Sequence, residues 1–336
     1  QQRNALGVLH VQRAPDQADF GQHAAFVCGR ARCQRGGGLG KAGGAVIDGT
    51  NQATVVTINS SFVTLKNLKI INSGERHENI DAGVVLNNAS QCEISNCTID
   101  NTLFGIDLRM VHNSIIKNNH ISSKKLDLGL RGDGVRLWYS NNNIIEKNHL
   151  FKSRDMVIWY SHGNEIANNS ARFCRYSLHF MYAGKNIIKN NFFEYNSVGI
   201  FFMYSKDSVA TGNVIKSSLG TTGMGIGLKD VSNFTIKNNK IIYCAQGLYI
   251  DRSPYDIGSH NWIENNDILY NSQAFHFSTL SENNIIKNNI IAGNIEDIVN
   301  DRGGKIDKNN LELNYWDNYE GFDKNMDNIG DTPHKV

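Results

Sequence analysis

Three side chains in the middle of the chain have types and spacing that suit a soft metal ion. His179 and Met181 stand two residues apart in "YSLHFMYAGKNIIKNN", Tyr176 to Asn191, and Met203 follows in "GIFFMYS". An imidazole and two thioethers suit Cu(I) and suit zinc or calcium poorly. On an extended chain two residues separate side chains by about 7 Å, and a paired strand would bring Met203 to about 5 Å from Met181. The same residues on an exposed face would also serve as a contact surface.

Two other groups suggest different chemistry. In "NYWDNYEGFDKNMDNIGDTP" the residues Asp323, Asn325 and Asp327 alternate, with Asp331 four further on. Oxygen ligands alternating along a tight loop fit calcium. Asn328 stands where such a loop has glycine, and the alternative is an Asx-rich cap. Elsewhere, insertions at 72–82, 122–133, 217–224 and 252–260 bring Glu75, His77, Asp133, Arg136 and His260 near candidate grooves. Carboxylates with an arginine suit sugar chemistry; corner solvation and ion pairing are the alternative.

The elements that must position these residues are repeats. A run of Ile, Val, Phe, Tyr and Thr ends in Asn again and again, at 67, 96, 119, 148, 169, 191, 213, 239, 266, 289 and 310. The alternation and composition are those of strands. Units of about 22 residues with Asn or Gly turns predict an all-β fold, a right-handed parallel β-helix of about eleven coils. Coils of this kind bury their inner faces only by stacking. Asn tolerates the left-handed corner and can form ladders at the strand spacing. The β-helix is expected over 44–313, after an atypical arm at 1–43 and before a C-terminal cap at 314–336. There Tyr315, Trp316 and Tyr319 are expected to cover the end of the core.

Stacking the strands by parity separates two faces. Val135, Met156, Leu178, Ile200, Ile226, Leu248 and Phe275 should point inward, as should Leu137, Ile158, Phe180, Phe202, Leu228, Ile250 and Phe277. The outward rows read Arg136, Val157, His179, Phe201, Gly227, Tyr249, His276 and Trp138, Trp159, Met181, Met203, Lys229, Asp251, Ser278. An apolar outer face marks an interaction surface. Trp138, Trp159, Phe201, Tyr249, Arg136 and His276 are its expected partner-binding residues.

Bulk properties narrow the function. The chain has 336 residues and a net charge of +2. Residues 1–43 carry six basic and two acidic side chains and no Ile, Tyr or Trp; the remainder is slightly acidic. This balance argues against a nucleic-acid binder. No apolar run is long enough for a spanning helix, and no GxxxxGK[ST] phosphate loop is present. The six cysteines (28, 33, 92, 97, 174, 244) have no zinc spacing and are expected to be free or buried thiols.

The segments "GDGVRLWYS", "DMVIWYS", "RYSLHFMY", "SVGIFFMYS", "GIGLKD", "GLYIDRSP" and "NYWDNYEGFD", in this order, closely resemble the NosD family over about residues 45–334. The resemblance implies a β-helix of the carbohydrate-binding and sugar-hydrolase type that is not an enzyme. It implies a periplasmic accessory protein for nitrous oxide reductase maturation, working with an ABC transporter made of an ATPase and a membrane subunit. Copper would come from a lipoprotein chaperone and go toward the reductase's copper–sulfur centre. The family's His and Met motif falls on His179, Met181 and Met203. The second reading is a carbohydrate-binding or polysaccharide-modifying β-helix, with the outer aromatics on sugar and Asp133, Arg136 or Asp251 as acid–base groups. A carboxylate cluster on stacked rungs would favour it; the central rungs carry Trp and Met instead.

Overall fold

The structure is a computed structural model that describes residues 45–220, 223–301 and 306–334, and the backbone of two short strands, Phe26–Cys28 and Arg32–Gln34. The rest of the expected N-terminal arm at 1–43 lies outside the described residues. The chain divides into two compact units, Gln1–Arg154 and Asp155–Val336. Each is a right-handed parallel β-helix in which every coil gives one strand to each of three sheets. In the second unit the first coil runs through Asp155–Trp159, Glu165–Ala167 and Ser170–Arg172, and the next strand, Tyr176–Met181, lies parallel on the first. Among the described residues the first sheet has four parallel strands in the first unit and seven in the second.

The repeated Asn-Asn pairs divide their work. Asn118, Asn168, Asn190, Asn238, Asn265 and Asn288 have φ of 55–56° and turn the corner, a left-handed conformation that Asn adopts more readily than most residues. The next Asn turns inward and is buried. Its amide Nδ2 donates to the Oδ1 of the Asn one coil on, at 2.9–3.0 Å, from Asn169 through Asn191, Asn213, Asn239, Asn266 and Asn289 to Asn314. Asn119 and Asn148 make the same bond at 2.9 Å in the first unit. Each such amide satisfies backbone groups that the corner leaves without a strand partner.

The sequence markers slip at both ends. Asn67 and Asn96 are the left-handed residues, with φ of 57° and 53°. Beside Asn96 the inward position is Cys97, whose N–H donates to Asn119 Oδ1 at 3.0 Å. At the other end the ladder continues to Asn314 rather than Asn310, because the "KNN" there belongs to another corner, where Asn284 donates to Asn309 at 2.9 Å. Strand pairing continues past 313, with Tyr315 and Trp316 paired to Ile290 and Ile291. This register leaves Tyr315 exposed, contrary to the expected cap. Trp316 packs near His334, ring centroids 5.1 Å apart, and the Tyr319 hydroxyl donates to the Thr332 carbonyl at 2.7 Å.

Both expected inward rows are fully buried. Phe180 stacks on Phe202, and Phe234 packs tilted against Phe202, at 4.7 Å in both cases, and each buried ring contributes roughly 1.5–3 kcal/mol. Cys92, Cys97, Cys174 and Cys244 are buried free thiols. Their N–H groups donate to Ser114, Asn119, Asn196 and Asn271 one coil on, so they occupy corner positions. Burial pushes the Cys244 thiol up to about 11. The side chains of Cys28 and Cys33 lie outside the described residues.

Candidate functional site

The first sheet of the second unit carries the candidate site. Strands Asp155–Trp159, Tyr176–Met181, Val198–Met203 and Met224–Lys229 pair in parallel, which aligns Val157, His179, Phe201 and Gly227 in one outward row and Trp159, Met181, Met203 and Lys229 in the other. This is the register that side-chain parity predicts. Parity does not reveal a slip between Asp155 and Val157, where Asp155 pairs with Tyr176 while Val157 pairs with His179. The bulge puts a carboxylate behind the histidine.

His179 points away from the core, yet it is only 8% exposed, which corrects the expectation of a histidine on an open face. Neighbouring rings cover it. Tyr176 stacks on it at 4.7 Å, and Trp159 and Phe201 meet it edge-on at 6.4 Å each. Phe201 takes its place because residue 227 is glycine; a Cβ there would lie 2.2 Å from the ring. His179 Nε2 lies 3.5 Å from Met203 Sδ, and both methionines are half-buried. On the other side Nδ1 is 3.8 Å from Asp155 Oδ2, beyond hydrogen-bond length, and has no hydrogen-bond partner.

Neither neutral tautomer satisfies this ring. With the proton on Nε2, the Nδ1 lone pair faces a carboxylate. With the proton on Nδ1, the Nε2 lone pair faces a thioether lone pair, an arrangement that a soft cation between them would reconcile. Asp155 favours the second state. Burial pushes its carboxyl up, but the facing His179, the ion-paired Arg175 and the Tyr176 N–H together outweigh burial and hold it below the usual carboxylate range. A carboxylate behind the far nitrogen of a metal-binding histidine fixes the ring's orientation and tautomer.

The remaining expected site residues are engaged elsewhere. In the first unit the Arg136 guanidinium lies 5.3 Å from the Trp138 ring centre and pairs with Asp107 at 3.1 Å. In the second, Tyr249 packs on His276 at 5.5 Å, and His276 Nε2 lies 2.9 Å from Asp301. Asp133 is buried against Arg154 at 2.9 Å, and Asp251 is held by Lys229 and by the Thr279 hydroxyl. These carboxylates are structural ion pairs rather than open acid–base groups. Glu75 meets Lys124 at 3.3 Å, His77 meets the Leu130 carbonyl at 3.0 Å, and His260 meets the Asn283 carbonyl at 3.2 Å. In the tail, Asp323 accepts from the Asp327 and Asn328 N–H groups, Asn325 from Asp327, Asp327 from Ile329, and Asp331 from Lys324. These bonds tie the loop to its own backbone. Among the described residues no three His, Cys, Asp or Glu side chains converge as a metal group; the His179 set relies on thioether sulfur.

Sequence reasoning missed Asp155 and Tyr176. It also missed a row of tyrosines one residue past the outward face: Tyr139, Tyr160, Tyr182 and Tyr204. The recurring "WYS", "WYS", "MYA", "MYS" was the available signal. Tyr160, Tyr182 and Tyr204 stack at 5.0 and 4.9 Å.

Comparison with known proteins agrees with this architecture. A family model described as periplasmic copper-binding protein (NosD) matches residues 122–321, and one described as a right-handed β-helix region matches 53–178. No curated protein sequence matches the chain. Among solved structures, a hyperthermoactive exopolygalacturonase from Thermotoga maritima is similar, with a TM-score of 0.51, 8% identity and coverage of 77% of this chain and 83% of the other. The catalytic unit of a thermostable GH87 α-1,3-glucanase from Streptomyces thermodiastaticus has a TM-score of 0.53, 12% identity and coverage of 81% and 62%. At these identities the likeness is one of fold. With a family match across well over half its length, a coiled β-helix beneath it and a His–Met face, the chain belongs to the NosD family of periplasmic copper-binding proteins.

Proposed function

We propose that this chain is a non-enzymatic factor that receives Cu(I) as cargo and passes it on during assembly of the copper–sulfur centre of nitrous oxide reductase. The observation that carries the proposal is His179, with Nε2 3.5 Å from Met203 Sδ and a buried carboxylate behind Nδ1. His179 and Met203 would hold the ion, with Met181 beside them in register with Met203. Asp155 orients the ring, and Arg175 anchors Asp155. Few ligands and two half-exposed thioethers suit an ion that must leave again. The proposed partners, in the periplasm, are an ABC transporter, a copper chaperone lipoprotein and the reductase. Trp159, Tyr249 and His276 of the second unit are proposed contacts, as are Trp138 and Arg136 of the first; Phe201, expected among them, is only 8% exposed and packs on His179 instead.

The test is anaerobic competition for Cu(I) against a chromophoric chelator. The wild-type chain withdraws copper from the chelator, and a variant combining His179→Ala, Met181→Ala and Met203→Ala does not. Unchanged uptake by that variant overturns the site.

A further inference from the structure

The tyrosine row ends in a cleft that copper handling does not use. Tyr160, Tyr182 and Tyr204 occupy left-handed corner positions with φ of 47°, 51° and 50°. The next two rungs put Asp230 and Arg252 at the same position. The aromatic stack therefore stops at Tyr204, and no ring of the row covers its far face. A cleft of about 640 Å³ opens there, bounded by Tyr182 and Tyr204 and by the insertion bearing Arg252, Tyr255 and Asp256. The insertion is fixed by the Tyr255 N–H on the Val231 carbonyl at 2.9 Å and the Asp256 N–H on Ser232 Oγ at 2.8 Å.

Asp230 is the second observation. It lines the cleft with its side chain 3% exposed, and its Oδ1 accepts from Arg252 Nε. Its Oδ2 is buried and has no hydrogen-bond partner. A buried carboxylate oxygen without a donor is costly, so such an atom on a residue that lines a cleft calls for one. The donor's chemistry follows from the surroundings. A further cation would sit against Arg252, which already pairs with Asp230 and lies 5.1 Å from the Tyr255 ring centre. A net charge of either sign gains nothing there, because Asp207, Asp230 and Asp256 are balanced by Lys185, Lys206 and Arg252 around the same cleft. No metal group forms among the described residues. A neutral hydroxyl remains, presented by a ring whose C–H face packs on an aromatic one.

We infer that this cleft binds a neutral pyranose of an oligosaccharide, with Tyr204 under the sugar face and Asp230 Oδ2 accepting from a sugar hydroxyl. The site goes beyond the copper proposal and shares none of its residues. Maltohexaose, cellohexaose and hexa-N-acetylchitohexaose are the probes, followed by saturation-transfer NMR and calorimetry on the full chain. At least one probe binds. Asp230→Asn and Tyr204→Ala each weaken it by about tenfold or more, and Tyr204→Phe, which keeps the ring face, stays within about threefold of wild type. Copper uptake is unchanged in all three variants, which separates this site from the His179 site. Failure of all three probes to bind, or binding that Asp230→Asn and Tyr204→Ala leave unaltered, overturns the inference.

Discussion

At the scale of single residues, Asp155 decides what His179 can do. Its carboxylate occupies the Nδ1 side and leaves Nε2 toward sulfur, so it would position the ring without touching the proposed Cu(I). Asp155→Asn should weaken Cu(I) binding by about 10- to 100-fold, the range for losing a partner behind a metal-bound histidine. The chelator competition measures this, and rescue by Asp155→Glu would separate charge from packing. The same residue sets a pH dependence. Its folded-state pKa lies below the ordinary value of 3.8. The stability it contributes is therefore full above 3.8 and is lost only as the pH falls through the lower folded value. Acid unfolding followed by circular dichroism should show that loss in wild type and not in Asp155→Asn. Of this site, the sequence made legible the His179, Met181 and Met203 rows, because parity alone sets them. Burial of the histidine was not legible. It depends on a register slip at Asp155, on Tyr176 folding back over the ring, and on the missing Cβ at Gly227, none of which leaves a periodic trace.

At the scale of elements, the corners hold the coils together. Asn213 illustrates how much one side chain carries. Its Oδ1 accepts from the Asn191 N–H and Nδ2, and its own Nδ2 donates to the Ile188 carbonyl and to Asn239. Asn213→Ala strips partners from several buried groups and should cost about 2–4 kcal/mol, read as a lowered urea midpoint. Asn213→Asp keeps the acceptor but turns a carboxylate oxygen toward the Ile188 carbonyl, and should be worse. The coil repeat was legible because Asn recurs at nearly fixed intervals. Which member of each Asn-Asn pair turns and which stacks was not, and so Asn310 was mistaken for Asn314. The tyrosine row escaped for a related reason. Left-handed residues are expected to be Asn or Gly, and Tyr160, Tyr182 and Tyr204 take that conformation while stacking on one another.

At the scale of the whole molecule, a buried core and a self-closed tail set the response to solution conditions. Among the described residues no helix is long and apolar enough to cross a membrane. The loop at 323–331 is closed by hydrogen bonds from its own backbone N–H groups. Thermal unfolding should therefore have the same midpoint with excess EDTA and with millimolar calcium; a calcium-dependent rise would assign Asp323, Asn325, Asp327 and Asp331 to the ion. The first 43 residues gave no period to read. The boundary expected at 313 fell one strand short, because the strand at Tyr315 and Trp316 lacks the β-branched run that marked the others.

The spacing of the Asn ladder has a consequence for how such a chain can change. Between Asn169 and Asn191 the sequence advances 22 residues, and between Asn239 and Asn266 it advances 27, yet the amide bonds across those steps are 3.0 Å in both cases. The scaffold keeps its own metre whatever length is spliced in at a bend. New segments can be grafted onto the rim, tried for binding, and lengthened or discarded, while the amides inside stay in step. The insertion at 252–260, folded over the end of the tyrosine row, has the placement such a graft would have.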